Sequence, residues 1–126
     1  MKGEDIVNAL YKAMSENPDK KIGELFEIAC KMPAPRFYVT FELARKYVSM
    51  LDRGLSLPLT NENKKRLYQE LHRRLNRKRG DKKGYYKLLE EIIASPAPCF
   101  YMDAETFKQV FYKTIRSKKG RNESNN

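Results

Sequence analysis

Tryptophan is absent from this chain, histidine occurs once (His72), and cysteine occurs twice (Cys30 and Cys99) in 126 residues. No pair of these residues falls at zinc-site spacing, so no metal is expected. The two cysteines sit beside or inside a repeated motif and read as small buried hydrophobes rather than a disulfide. His72 lies in a basic segment with no nucleophile near it in sequence. The strings GxxxxGK[ST], GxGxxG and GxSxG do not occur, and Glu90 and Glu91, being neighbours, point apart on a helix. The expectation is a protein that is not an enzyme and has no cofactor. No apolar run approaches the ~18 residues that would span a bilayer, and the polar start Met1-Lys2-Gly3-Glu4-Asp5 reads as a helix rather than a secretory signal. A membrane is therefore not an expected partner, and the cell interior is the expected location.

Positive charge is abundant: 26 Lys and Arg face 16 Asp and Glu, a formal net charge of +10. Such a balance favours acidic partners: nucleic acid, an anionic membrane surface or an acidic protein. The 8 Tyr and 6 Phe supply the large pieces of core.

The chain repeats itself. Pro33-Ala34-Pro35-Arg36-Phe37-Tyr38-Val39-Thr40 aligns without gaps with Pro96-Ala97-Pro98-Cys99-Phe100-Tyr101-Met102-Asp103 at an offset of 63. Both strings read PAPxFY, an apolar residue, and then a helix N-cap type, Thr40 or Asp103. The flanks agree: Leu25 matches Leu88, Phe26 matches Leu89, Val48 matches Phe111, and Arg53 matches Arg116. Apolar spacing predicts helices at 4–15, 21–31, 41–53, 61–79, 85–94 and 104–117. The expected fold class is all-α: two tandem, pseudo-symmetric three-helix units, with room for a short two-stranded ribbon between the PAPxFY connectors. A lone unit of this size buries only ~60% of its unfolded surface. The expected organisation is therefore one compact domain, 1–126, made of repeats 1–58 and 59–119, with 120–126 a disordered tail.

Pro-Ala-Pro cannot continue a helix, so the connectors should run extended and deliver Phe and Tyr into or beside the core. A helix, a connector and a capped helix also resemble an enlarged helix-turn-helix, with 41–53 and 104–117 as recognition helices. Arg45 and Lys46, and Lys108 in the second copy, would then be the base readers. Arg53 and Arg116 near the helix ends are also explained by the helix dipole alone.

Between Lys64 and Lys83 lie ten basic residues: Lys64, Lys65, Arg66, Arg73, Arg74, Arg77, Lys78, Arg79, Lys82 and Lys83. Only Glu70 and Asp81 oppose them, leaving +8. Like charges at helical i,i+4 spacing repel, and here the repulsion is left standing. Arginine predominates within the helix, and its planar fork suits phosphate. Arg116, Lys118 and Lys119 extend a second cluster at the C-terminal end, and Tyr68, Tyr85, Tyr86 and Tyr112 lie near enough to stack on exposed bases.

Ala34-Pro35-Arg36-Phe37-Tyr38-Val39-Thr40, Ala44-Arg45, Leu57-Pro58-Leu59-Thr60-Asn61 and Leu67-Tyr68-Gln69-Glu70-Leu71 resemble small basic proteins of phages and mobile elements of gut Bacteroidetes. The resemblance covers about residues 20–102 and carries over no functional residue. It implies a phage-associated role, in the bacterial host cytoplasm or packaged in a phage particle.

The leading expectation is a non-enzymatic nucleic-acid-binding protein, monomer or homodimer, favouring double-stranded DNA over RNA. Its alternative is a protein-interaction adaptor or phage structural component that docks through Phe37, Tyr38, Phe100 and Tyr101.

Overall fold

The computed structural model describes residues 2–80 and 82–124, with the side chains of 119–124 excepted. Among them are six helices and no strand: α1 (Lys2–Glu16), α2 (Ile22–Ala29), α3 (Phe41–Asp52), α4 (Glu62–Arg77), α5 (Tyr85–Ile93) and α6 (Ala104–Ser124). The all-α expectation holds. Only the last helix departs far from its expected bounds. Its backbone runs on through the stretch expected to be a tail, while Asn125 and Asn126 lie outside the described residues.

Helix starts follow the cap residues. Thr40 Oγ1 accepts the Leu43 N–H at 3.2 Å, Asn61 Oδ1 the Lys64 N–H at 3.1 Å, and Asp103 Oδ1 the Thr106 N–H at 2.8 Å. Each satisfies one of the N–H groups that a first turn leaves without a helical partner. The bond from Thr106 holds the exposed Asp103 carboxyl below its ordinary range. Helix α3 ends at Gly54, whose φ of +76° lets its own N–H reach the Leu51 carbonyl and the Leu55 N–H reach that of Met50.

The helices sort into two compact units that are not the two sequence repeats. The first is Met1–Ala34 with Pro98–Asn126, in which α1, α2 and α6 pack on one another. The second is Pro35–Ala97, in which α3, α4 and α5 do the same. The units thus cut the chain at places other than the repeat boundary between 1–58 and 59–119. Each unit combines the first two helices of one repeat with the third helix of the other, and both boundaries fall inside a Pro-Ala-Pro string.

In the first unit, Ile6, Leu10, Phe26, Phe100, Phe107 and Phe111 fill the core. The Phe26 and Phe100 rings meet Phe107 edge-on, with centroids 6.3 and 5.5 Å away. Gly3 permits a close approach of α1 to α6, since a Cβ there would lie 2.5 Å from Thr114 Oγ1. In the second unit, the apolar stripe of α4 (Leu67, Tyr68, Leu71 and Leu75) packs with Ala44, Val48, Leu88, Leu89, Ile92 and Phe37.

The connectors make matching hydrogen bonds within their respective units. Phe37 N–H donates to the Ile93 carbonyl at 3.0 Å, and Phe100 N–H donates to the Cys30 carbonyl at 3.3 Å, each pair shifted from the other by the repeat offset. The expected two-stranded ribbon does not form among the described residues. Each connector contributes only an isolated bridge residue, Ala34 or Ala97. Two prolines per connector remove the N–H donors a ladder needs, and the phenylalanine N–H is spent on a helix end. In the second copy Tyr101 takes φ +53°, a left-handed conformation unusual for a tyrosine, with its N–H 3.4 Å from Cys99 Sγ.

Candidate nucleic-acid interface

Charge divides unevenly between the units. Residues 35–97 hold 15 Lys and Arg against 7 Asp and Glu, a net of +8, whereas the remainder hold 11 against 9, a net of +2. Lys108, Arg116 and Lys118 are exposed on α6 and belong to the first unit, so α6 does not join the α4 cluster within one unit. The side chain of Lys119 lies outside the described residues.

Helix α4 presents its cations according to its apolar stripe. Arg66, Glu70, Arg73 and Arg77 fall at i, i+4, i+7 and i+11 and so share the face opposite the buried leucines. Arg66, Arg77 and Lys78 are exposed and make no ion pair or side-chain hydrogen bond among the described residues, and the same holds for Lys64 and Lys82. The others are engaged. Arg73 grips Glu70 with two bonds of 2.6 and 2.5 Å, Lys65 pairs with Glu62 at 3.4 Å, and Lys83 pairs with Glu91 at 3.1 Å. Arg79 pairs with Asp52, to which His72 Nε2 also lies at 3.3 Å, tying α4 to the end of α3. His72 is thus a packing residue where α4 meets α3.

Arg74 is the largest departure from the sequence reading. It binds Glu70 at 2.9 Å, Ser95 Oγ at 3.1 Å and the Pro96 carbonyl at 2.7 Å, and its guanidinium stands 4.9 Å from the Phe37 ring centroid. These bonds occupy the fork that would have met a phosphate, so Arg74 clamps both ends of the Pro35–Ala97 segment and is removed from the interface.

The Arg73 bonds, followed by those from Arg74, hold the Glu70 carboxyl below its ordinary value of 4.5 despite partial burial. A depressed carboxyl stabilises the fold above its unfolded-state value, and that contribution is lost as pH falls through the folded-state value. The melting temperature should therefore fall as pH drops below about 4.5, and Glu70→Gln should lessen that fall while lowering stability at neutral pH. Thermal scans by circular dichroism from pH 7 to pH 3 read both effects. Equal acid slopes for the two proteins would show that Glu70 does not govern this limb.

A groove of about 740 Å³ lies between the polar face of α3 and the start of α5. It is lined by Glu42, Arg45, Lys46, Ser49, Met50 and Arg53 from the α3 side and by Tyr85 and Tyr86 from α5. Arg45 Nη1 donates to the Tyr86 hydroxyl at 3.1 Å. A second depression of about 320 Å³ shares Tyr85 and continues along Asp52, Lys78, Arg79 and Lys83. Burial, then the Asp52 charge, push the Tyr85 phenol above its ordinary value, so it stays a neutral hydrogen-bond donor. The structure thus joins Arg45 and Lys46 to the tyrosines of α5, a convergence set by α3–α5 packing and invisible in linear order.

Two further expectations are corrected. Phe37 and Phe100 are buried, at 1% and 4% exposure, and so cannot form a docking surface, while Tyr38 and Tyr101 are half-buried. The helix pairs expected to form an enlarged helix-turn-helix, α2 with α3 and α5 with α6, are each split between the two units.

Cys30 is buried, which raises its thiol pKa and keeps it protonated. Among the described residues no helix is long and apolar enough to cross a membrane, and no cluster of His, Cys, Asp and Glu could hold a metal ion. No protein-family model, curated protein or solved structure matches this chain.

Proposed function

We propose that the protein is a non-enzymatic nucleic-acid-binding factor of a phage or mobile element, and that the Pro35–Ala97 unit carries the binding. The observation supporting this is the placement of charge. A three-helix unit with net +8 keeps Arg66, Arg77, Lys78 and Lys82 exposed, with no carboxylate paired to them among the described residues. Glu70 neutralises the middle of the α4 face through Arg73 and Arg74, whereas the unpaired cations at Arg66, Arg77, Lys78 and Lys82 suit the phosphates of a polyanion.

The enlarged helix-turn-helix finds no support in the units, since α2 and α3 belong to different ones, and nothing in the charge placement separates duplex DNA from other forms. The adaptor alternative rests on the connector aromatics, two of which are core residues. Nucleic acid of either strand form is therefore the reading the surface supports best.

Fluorescence anisotropy against labelled duplex DNA, single-stranded DNA and RNA, each over a salt series, tests it. With about six phosphates neutralised, log K should fall against log salt with a slope of roughly −4 to −5. Binding to all three that vanishes at modest salt would overturn the proposal.

A further inference from the structure

The groove between α3 and α5 brings together an immobilised aromatic ring and a set of cations. Tyr86 is the most exposed of the large hydrophobic side chains among the described residues, at 54% exposure. An exposed ring ordinarily samples several rotamers, but this one is held from three directions. Phe41 and Tyr85 meet it edge-on, at centroid distances of 5.7 and 5.6 Å and interplanar angles of 75°. Arg45 donates to its hydroxyl, and the same guanidinium stands 5.6 Å from its ring centroid. A ring already fixed loses little side-chain entropy when a second flat group stacks on it.

Around this ring lie three cations, Arg45, Lys46 and Arg53, against one carboxylate, Glu42. The adjoining depression, which shares Tyr85, adds Lys78, Arg79 and Lys83 against Asp52. The complementary ligand carries a flat apolar face and regularly spaced negative charges on the same chain. An unpaired nucleotide in a single strand has both. A base in a duplex does not, because its faces are already covered by its neighbours.

We infer that the groove is a stacking site for an unpaired base of single-stranded nucleic acid. Tyr86 is the platform, Arg45 fixes that platform, and Lys46 and Arg53 hold the flanking phosphates. The inference rests on the nucleic-acid reading above and narrows it from polyanion binding in general to single strands.

The test compares four labelled polymers of equal length by anisotropy at one salt concentration: oligo-dT, oligo-U, a DNA duplex, and an abasic deoxyribose-phosphate strand. The abasic strand keeps the phosphates and lacks every base. Oligo-dT and oligo-U should bind more tightly than the duplex, and the abasic strand should bind about tenfold more weakly than oligo-dT. Tyr86→Ala should lower oligo-dT affinity by about tenfold and leave abasic binding unchanged, since one stacked base accounts for roughly that factor. Tyr86→Phe loses the Arg45 hydrogen bond but keeps the ring and its edge-on contacts with Phe41 and Tyr85, and should retain most of the affinity, with circular dichroism confirming that both variants fold. Equal binding of abasic strand and oligo-dT, tighter binding of duplex, or indifference to Tyr86→Ala would overturn the stacking site and leave the broader reading standing. Failure to bind any of the four polymers would overturn both.

Discussion

A chain carrying Arg66→Glu, Arg77→Glu and Lys78→Glu together should retain its helical circular-dichroism signal and lose nucleic-acid affinity by two or more orders of magnitude at near-physiological salt. All three side chains are exposed and make no ion pair or side-chain hydrogen bond among the described residues, so their replacement breaks no side-chain bond of the fold and costs only the favourable placement of Arg77 and Lys78 at the C-terminal end of α4. Each change takes one cation away from a phosphate and adds a repulsive charge. The salt slope should accordingly become shallower by roughly 0.7 to 0.9 for every phosphate that is no longer neutralised. Arg74→Glu provides the contrast. It discards the bonds to Glu70, Ser95 and Pro96 and sets a carboxylate beside the Phe37 ring, so its main effect should be on the melting temperature. A triple variant that binds normally would remove α4 from the interface, whatever Arg74 does.

Cutting the chain gives the second large effect. A fragment of residues 35–97 should fold by itself and melt cooperatively, because α3, α4 and α5 all lie within it. Its two ends are held together by the Phe37–Ile93 hydrogen bond and the Arg74 clamp. Fragments cut at the repeat boundary, 1–58 and 59–126, should each be largely unfolded, since each has two helices of one unit and a third that belongs to the other. Mixed in equal amounts, those two fragments should regain helicity together, as between them they hold all six helices of both units. Circular dichroism and size-exclusion chromatography of the three fragments and of the mixture read the outcome. Folded, monomeric 1–58 would contradict the exchange of third helices.

That exchange shows why the sequence was partly legible. The gapless match of the PAPxFY strings establishes a period of 63 residues, and helix caps such as Thr40, Asn61 and Asp103 follow from local chemistry. A period carries no phase. The same repeat can be cut before α1 or after α2, and only long-range packing decides between them. Prolines that read as bends turn out to be the places where the chain leaves one unit for the other.

The candidate interface was legible to a similar depth. The concentration of charge in α4 is evident from composition, and the stripe of Arg66, Arg73 and Arg77 follows from its apolar period. That Arg74 serves the fold could not be read in this way. Its partners Phe37, Ser95 and Pro96 are brought to it from 37 positions upstream to 22 downstream. The same holds for Arg45 and Tyr86, which are 41 positions apart and joined only by the packing of α3 on α5.

Inserting one unit inside the other also sets an order of events during synthesis. Helices α1 and α2 leave the ribosome first, with Ile6, Leu10 and Phe26 waiting for Phe107 and Phe111, which the ribosome reaches only near the end of the chain. Meanwhile residues 35–97 can close on themselves as soon as α5 is made. Once closed, they hold Ala34 and Pro98 at the two joined ends of a folded insert, so the loop that α6 must close to reach α1 is shortened from a flexible 63-residue span to the gap between those ends. Variants that slow the closure of residues 35–97 should therefore prolong the exposure of the waiting α1 and α2 faces to aggregation.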